Sequence, residues 1–304
     1  MGFHRECRVR NLRGVPRSFV PLPTWRPGRG RALAFMAALG LAGAGLQAWA
    51  QTLPYPRLTS VFPPGAAAGS TSIVQVAGID LDEPAALLCS DPRITGRPSG
   101  TNPAVFVVTV PDSVPPGGVD LRWAGRFGVS NPRGFSISAG PEILSPGNHA
   151  RPAAAMDLPL RTVVNGRVNA QEIAWFRVAG VAGRRCMIRV VTRELDSRLE
   201  PILKVASNDG RPLDQSRRGW IDFVPTTDGP FLVGVHDATY RGGDDFVFRL
   251  SATLDPHLDF ALPVVLRAGE TNRVTLFGRN LPDGLPSEVR GADGRPLQQV
   301  TVEV

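Results

Sequence analysis

The sequence predicts an all-β, modular chain, and three observations lead there. From residue 51 onward apolar residues almost nowhere recur at helical intervals of three and four. Short runs rich in Val, Ile, Phe and Leu instead alternate with Pro, Gly, Asn and Asp, as half-buried strands joined by turns do. Finally, "PRLTSVFPPGAAAGSTSIVQVAGIDL" (56–81) lines up without gaps on "PHLDFALPVVLRAGETNRVTLFGRNL" (256–281), an offset of 200 residues. Pro56/Pro256, Leu58/Leu258, Pro63/Pro263, Gly69/Gly269, Val74/Val274, Gly78/Gly278 and Leu81/Leu281 match, so one module is expected to bracket a different centre.

The first fifty residues stand apart. Eight arginines, Arg5 to Arg31, precede the apolar run "ALAFMAALGLAGAGL", which ends in Ala48-Trp49-Ala50 before Gln51. A basic stretch, a short apolar one and a small-x-small site make a secretory signal peptide over residues 1–50, cleaved between Ala50 and Gln51. The run is too short and too rich in Gly and Ala for a membrane span, so no transmembrane segment is expected after cleavage. The leader holds eight of the 34 basic residues and one of the 27 acidic ones, leaving 26 of each. The mature chain is neutral, and nucleic acid is not expected as a partner.

Residues 51–140 form the first expected domain, with strands in "SIVQVAG", "VFVVTV", "VDLRWA" and "GFSISA". Residues 141–254 form the second, with strands in "IAWFRVA", "CMIRVVTR", "PILKVAS", "WIDFVP", "FLVGVHD" and "DFVFRLSA". In the last of these, Phe246, Phe248 and Leu250 share one face. Residues 255–304 hold a partial second copy of the first module; a sandwich half that short leaves its inner sheet face uncovered, and truncation is the expectation. Cys7 falls in the leader, while Cys89 and Cys186 sit in separate apolar runs and are expected to be buried free thiols. Without any Cys-x-x-Cys pair, a thiolate zinc site is excluded.

The repeat, Pro then Ala-Gly-x-Thr, an alternating strand and Gly-x-x-Leu, closed in the first copy by "RFGVSNPRGFSI" (126–137), resembles IPT/TIG-type immunoglobulin-like domains. The centre resembles the bacterial pre-peptidase C-terminal (PPC) domain. The residues that carry this are "VVNGRV" (163–168), Trp175-Phe176, "LDSRLEPILKVASNDGRPL" (195–213), "DFVPTTDGPFLVGVHDATYRGG" (222–243) and "FVFRL". It departs from that family at Ala174, where an acid is usual, and at Arg198, where some members carry a second acid beside Asp196. Together the resemblances imply an immunoglobulin-like β-sandwich, then a jelly-roll-like PPC sandwich, then a truncated second immunoglobulin-like module, found in secreted proteins and commonly without catalytic residues.

The densest polar stretch is "VHDATYRGGDDFVFRL" (235–250). One reading is a β-hairpin whose Tyr240–Asp245 turn uses Gly242-Gly243 at positive φ, with His236 facing away from the row Phe231, Val233, Val235. The other is a calcium site built from Asp237, Asp244 and Asp245 with Asp196 or Asp209, although calcium wants six to eight oxygens and no Asp-x-Asp-x-Asp-Gly spacing is present. His149 falls in a linker, His257 at a repeat boundary, and Ser130 before Asn-Pro in a turn; no nucleophile elbow or His-Glu-x-x-His helix occurs. No catalysis and no cofactor beyond calcium are expected. Arg184, Arg185, Arg217 and Arg218 read as solvated strand edges or as a polyanion-binding face. Trp123, Trp175 and Trp220 read as sandwich residues or as a sugar-binding surface. The function expected is adhesion, spacing or substrate docking at or outside the cell envelope, with a protein or polysaccharide partner. The alternative is the accessory front end of a secreted peptidase.

Overall fold

The structure, a computed structural model, describes residues 53–100 and 102–304; the expected signal peptide and its expected cleavage residues Ala48, Ala50 and Gln51 lie outside them. The described chain is all-β as predicted, its only helical turns being the 3-10 turns Pro152–Ala154 and Arg193–Leu195. No helix among the described residues is long and apolar enough to cross a membrane.

The first nine strands are β1 (Arg57–Phe62), β2 (Gly65–Ala67), β3 (Ser70–Ile79), β4 (Ala86–Cys89), β5 (Thr95–Pro98), β6 (Val105–Val110), β7 (Gly117–Gly125), β8 (Gly128–Val129) and β9 (Arg133–Ser138). They pair in the order β1-β3-β6-β5-β4-β7-β9-β2, with β8 on β7. β1 and β2 adjoin in sequence yet lie at opposite ends of this path, so the sheet folds over itself. Period-two alternation sends Leu58, Val74, Phe106, Leu121, Trp123 and Phe135 into its interior, where all are buried.

The centre carries β10 (Glu142–Leu144), β11 (Met156–Asp157), β12 (Val163–Arg167), β13 (Ala174–Gly180), β14 (Cys186–Val191), β15 (Pro201–Ser207), β16 (Pro212–Ser216), β17 (Trp220–Phe223), β18 (Gly229–Asp237) and β19 (Val247–Thr253). These make two five-stranded sheets, β10-β12-β19-β14-β17 and β11-β13-β18-β15-β16. Val164, Ile188, Phe248 and Leu250 of one meet Phe176, Leu203, Val233 and Val235 of the other in one core. Cys186 is buried there, which pushes its thiol up to about 12, while Cys89 is half-buried; both are free.

The last sheet is β20 (His257–Leu262), β21 (Arg273–Arg279), β22 (Leu285–Arg290) and β23 (Pro296–Glu303), ordered β20-β21-β23-β22. It repeats the first module's backbone. Leu58 faces Gly78 as Leu258 faces Gly278, and each β1-like strand bulges at the next step, before Ser60 and before Phe260. Left-handed residues recur at Asp80/Asn280 and Glu83/Asp283. The environments differ. Leu58 and Ala66 are 0% and 2% exposed, whereas Leu258 and Leu266 are 51% and 45% exposed, so the inner face of this sheet is bare at the strand the first module covers with β7 and β9.

Candidate functional site

The stretch 235–250 is not a hairpin. β18 already pairs with β13 and β15, and β19 with β12 and β14, so neither has a free edge for the other. Residues 238–246 instead cross from one central sheet to the other. Gly243 takes φ +141, but Gly242 is required for space: a Cβ there would meet the backbone carbonyl carbon of Asn169 at 2.2 Å. His236 does face away from the Val233 row, yet it is 3% exposed, stacked on Tyr240 with centroids 4.4 Å apart. Its Nδ1 lies 2.8 Å from the backbone oxygen of Asp237, not its carboxylate.

The five acids do not converge. Asp237 is fully buried, and its carboxylate accepts bonds from Glu200 N (3.1 Å), Thr239 N (3.0 Å), Thr239 Oγ1 (2.8 Å), Arg241 N (3.2 Å) and Arg241 Nε (3.1 Å). Burial alone would raise its pKa; the bonds from Arg241, Thr239 and Glu200 outweigh that and hold it well below the usual range. Asp244 pairs with Arg167 at 3.3 Å and Asp245 with Arg198 at 3.3 Å, while Asp209 accepts from Ser207 within its own turn. Asp196 accepts from Gly134 N at 2.8 Å, and its carbonyl accepts from Arg133 Nη1 at 2.7 Å. Among the described residues no group of three or more His, Cys, Asp or Glu is placed to hold a metal ion. The calcium reading thus finds no geometry to rest on, and part of this loop is a joint. Asp196 docks β9, and the Asp244 carbonyl accepts from Ser60 Oγ of β1 at 2.8 Å.

The histidines and serines fare differently from expectation. His149, placed by the sequence in a linker, is 2% exposed, packed on Phe176 with centroids 4.7 Å apart, and within hydrogen-bond distance of Ser145 Oγ. Its Nδ1 is buried without a partner, so no acceptor orients the ring as a base requires. Burial lowers the pKa of His149 and of His236. Ser130 is buried, its hydroxyl accepting from Trp123 N at 2.9 Å and donating to the Asn131 carbonyl at 2.8 Å.

What the chain does assemble is an open groove of about 1540 Å³. Its floor is the outer face of the β14, β17 and β19 sheet, where register places Arg189 between Trp220 and Ser251. It is lined further by the segment 192–202, by the Arg217-Arg218-Gly219 turn, which a bond from Val190 N to the Gly219 carbonyl holds beside β14, and by His257–Asp259 and Ala292 of the last sheet. Six arginines line it (Arg189, Arg193, Arg198, Arg217, Arg218 and Arg241) against three carboxylates, Glu194, Glu200 and Asp259. The sequence flagged Arg217, Arg218 and Trp220; it missed the others because they come from three separate loops and strands. Arg185, read as a solvated edge, instead turns inward to Asp222 at 3.3 Å, and Trp123 is fully buried.

No protein-family model matches the chain, and no curated protein matches it. Among solved structures the chain is similar to a periplasmic inhibitor of g-type lysozyme from Aeromonas hydrophila, at 10% identity over 32% of this chain and 95% of that one, TM-score 0.27. It is similar to the pre-peptidase C-terminal domain of a Bacillus anthracis collagenase, at 12% identity over 32% and 93%, TM-score 0.26. A third is SGBP-B of the Bacteroides ovatus mixed-linkage glucan utilization locus, solved with a mixed-linkage heptasaccharide, at 10% identity over 62% and 72%, TM-score 0.24. At such identities none transfers a residue role to this chain.

Proposed function

We propose that the chain is an exported, non-catalytic binding protein of the cell envelope, built from two IPT/TIG-type modules and a PPC-type sandwich, that docks a polysaccharide in the groove. The groove itself carries this reading. It is larger than the usual small-molecule pocket, roughly 300–1,000 Å³, open to solvent and floored by the face of a sheet, which suits an extended chain rather than a compact metabolite. Half-buried Trp220 offers apolar surface on which a sugar ring packs, with Ser251 across Arg189 from it as a hydroxyl partner. The non-catalytic part rests on the side chains that catalysis would need. Ser130 is spent on backbone bonds, and the ring of His149 has no orienting acceptor.

Affinity electrophoresis of the whole protein through gels cast with envelope-type polysaccharides tests the reading. Retardation is expected, and it should fall when Arg217 and Arg193 are both changed to Ala. Free migration of the unaltered protein in every gel overturns the proposal.

A further inference from the structure

We infer that the groove selects a polyanionic polysaccharide, one carrying carboxylate or sulfate groups along its chain; this rests on the docking reading above. Residues 51–304 have equal numbers of basic and acidic residues, yet of the six arginines lining the groove three, Arg193, Arg217 and Arg218, have no carboxylate partner among the described residues, a local excess that net charge conceals.

The arginines divide into two sets. Arg189, Arg198 and Arg241 pair with Glu194 at 3.4 Å, Asp245 at 3.3 Å and Asp237 at 3.1 Å, so their charge is already engaged within the protein. Arg193 and Arg217 are exposed, and among the described residues neither has a carboxylate within 4.0 Å. Arg193 and Arg217 both line the groove, so an acidic polymer lying on its floor meets free cations from two separate segments. A guanidinium presents a planar fork that matches carboxylate and sulfate oxygens in pairs, and such charge-assisted bonds are the strong ones.

Single-stranded nucleic acid is the competing polyanion, and the floor argues against it. Such binders line their channels with several aromatic platforms, one for each stacked base. Among the groove residues Trp220 is the one large aromatic ring, so the groove offers one platform where successive bases need several.

The test is affinity electrophoresis and titration calorimetry of the full protein with polygalacturonate, neutral dextran and poly(dT), at about 50 and about 300 mM salt. Polygalacturonate should bind and dextran and poly(dT) should not, with affinity falling steeply as salt rises. Arg193→Ala and Arg217→Ala should each weaken binding about tenfold, as loss of one charge-assisted hydrogen bond predicts. Both residues are exposed, so unchanged melting temperatures keep that loss from being read as unfolding. Equal binding of dextran, insensitive to salt, overturns the inference and leaves polysaccharide docking standing. Absence of binding to either polysaccharide overturns both, and poly(dT) binding as tight as polygalacturonate overturns the polysaccharide assignment.

Discussion

Arg279 Nε lies 3.0 Å from Asp222 Oδ2, and both side chains are fully buried. The pair joins the last sheet to the central sandwich. Arg279 also reaches Asp259 at 3.3 Å and Asp293 at 2.8 Å, and Arg185 reaches Asp222 from the other side at 3.3 Å. At the matching position of the first module stands Ile79, 58% exposed. Within a shared backbone, therefore, one altered side chain converts a solvent-facing position into an attachment point. Taking two charges out of water is costly, and the arginines around Asp222 offset only part of it, since burial still holds its carboxyl above the ordinary value.

Removing one member of that pair should cost far more than removing both. Arg279→Met leaves Asp222 buried with less compensation and is expected to lower stability by about 3–5 kcal/mol, with Arg279→Met/Asp222→Leu recovering most of the loss. Denaturant melts of the three variants check this. A single-variant cost under about 0.5 kcal/mol, the range of surface changes, would show the pair to be solvated.

The repeat supplies a matched pair of leucines for a second test. Leu58 is 0% exposed and Leu258 is 51% exposed, although they share register and bulge. Leu58→Ala should cost about 2–5 kcal/mol, as core truncations do. Leu258→Ala should stay within about 0.5 kcal/mol. Equal costs would mean that the last sheet's inner face is covered in solution.

These contrasts mark where the sequence stops being informative. Alternation located the long strands, because a half-buried strand must repeat every two residues. It did not locate β5, β10, β11 or β16, which run only two to five residues. Alternation also fixes faces and not partners, so 235–250 read as a hairpin while β18 and β19 belong to different sheets. Crowding of Asp237, Asp244 and Asp245 in sequence suggested a shared ligand, yet Asp196 finds its donor 62 residues away at Gly134. The groove's arginines were individually visible; that they line one groove depends on how strands and connecting segments assemble, which composition does not encode.

Stability should fall in two steps on acidification. Asp237 has a depressed folded pKa, so its contribution is present above its unfolded value of about 3.9 and is lost as pH falls from there toward the folded value. His149 and His236 also titrate lower when folded, because burial disfavours their charged forms. The unfolded chain then binds more protons below about pH 6.5, and stability declines as pH drops through that value. His236→Phe keeps the ring stacked on Tyr240 and should flatten the upper step, while Asp237→Asn should flatten the lower one. Melting temperatures between about pH 3 and 8 measure both; an upper step unchanged in His236→Phe and in a His149 variant would exclude the histidines as its source.

Gly134 lies where β9 meets the central sandwich, and a Cβ there would come within 1.9 Å of the Glu194 carbonyl oxygen. Its φ is not in the left-handed region, so an alanine is acceptable to the backbone and the nearest clash is with the 194–195 segment of the central sheets. Gly134→Ala should therefore push β9 off the 192–197 turn, break the 2.8 Å bond from Gly134 N to Asp196, and leave the first sheet folded. Limited proteolysis is expected to open the 139–141 connection in this variant and not in the parent. Asp196→Ala removes the acceptor without the clash and should give the same cleavage more weakly. Millimolar calcium should protect neither protein, because Asp196, Asp237 and Asp244 are already committed to separate protein donors. Calcium-dependent protection of the parent, lost in Asp196→Ala, would restore the metal to this loop and make the joint a ligand shell.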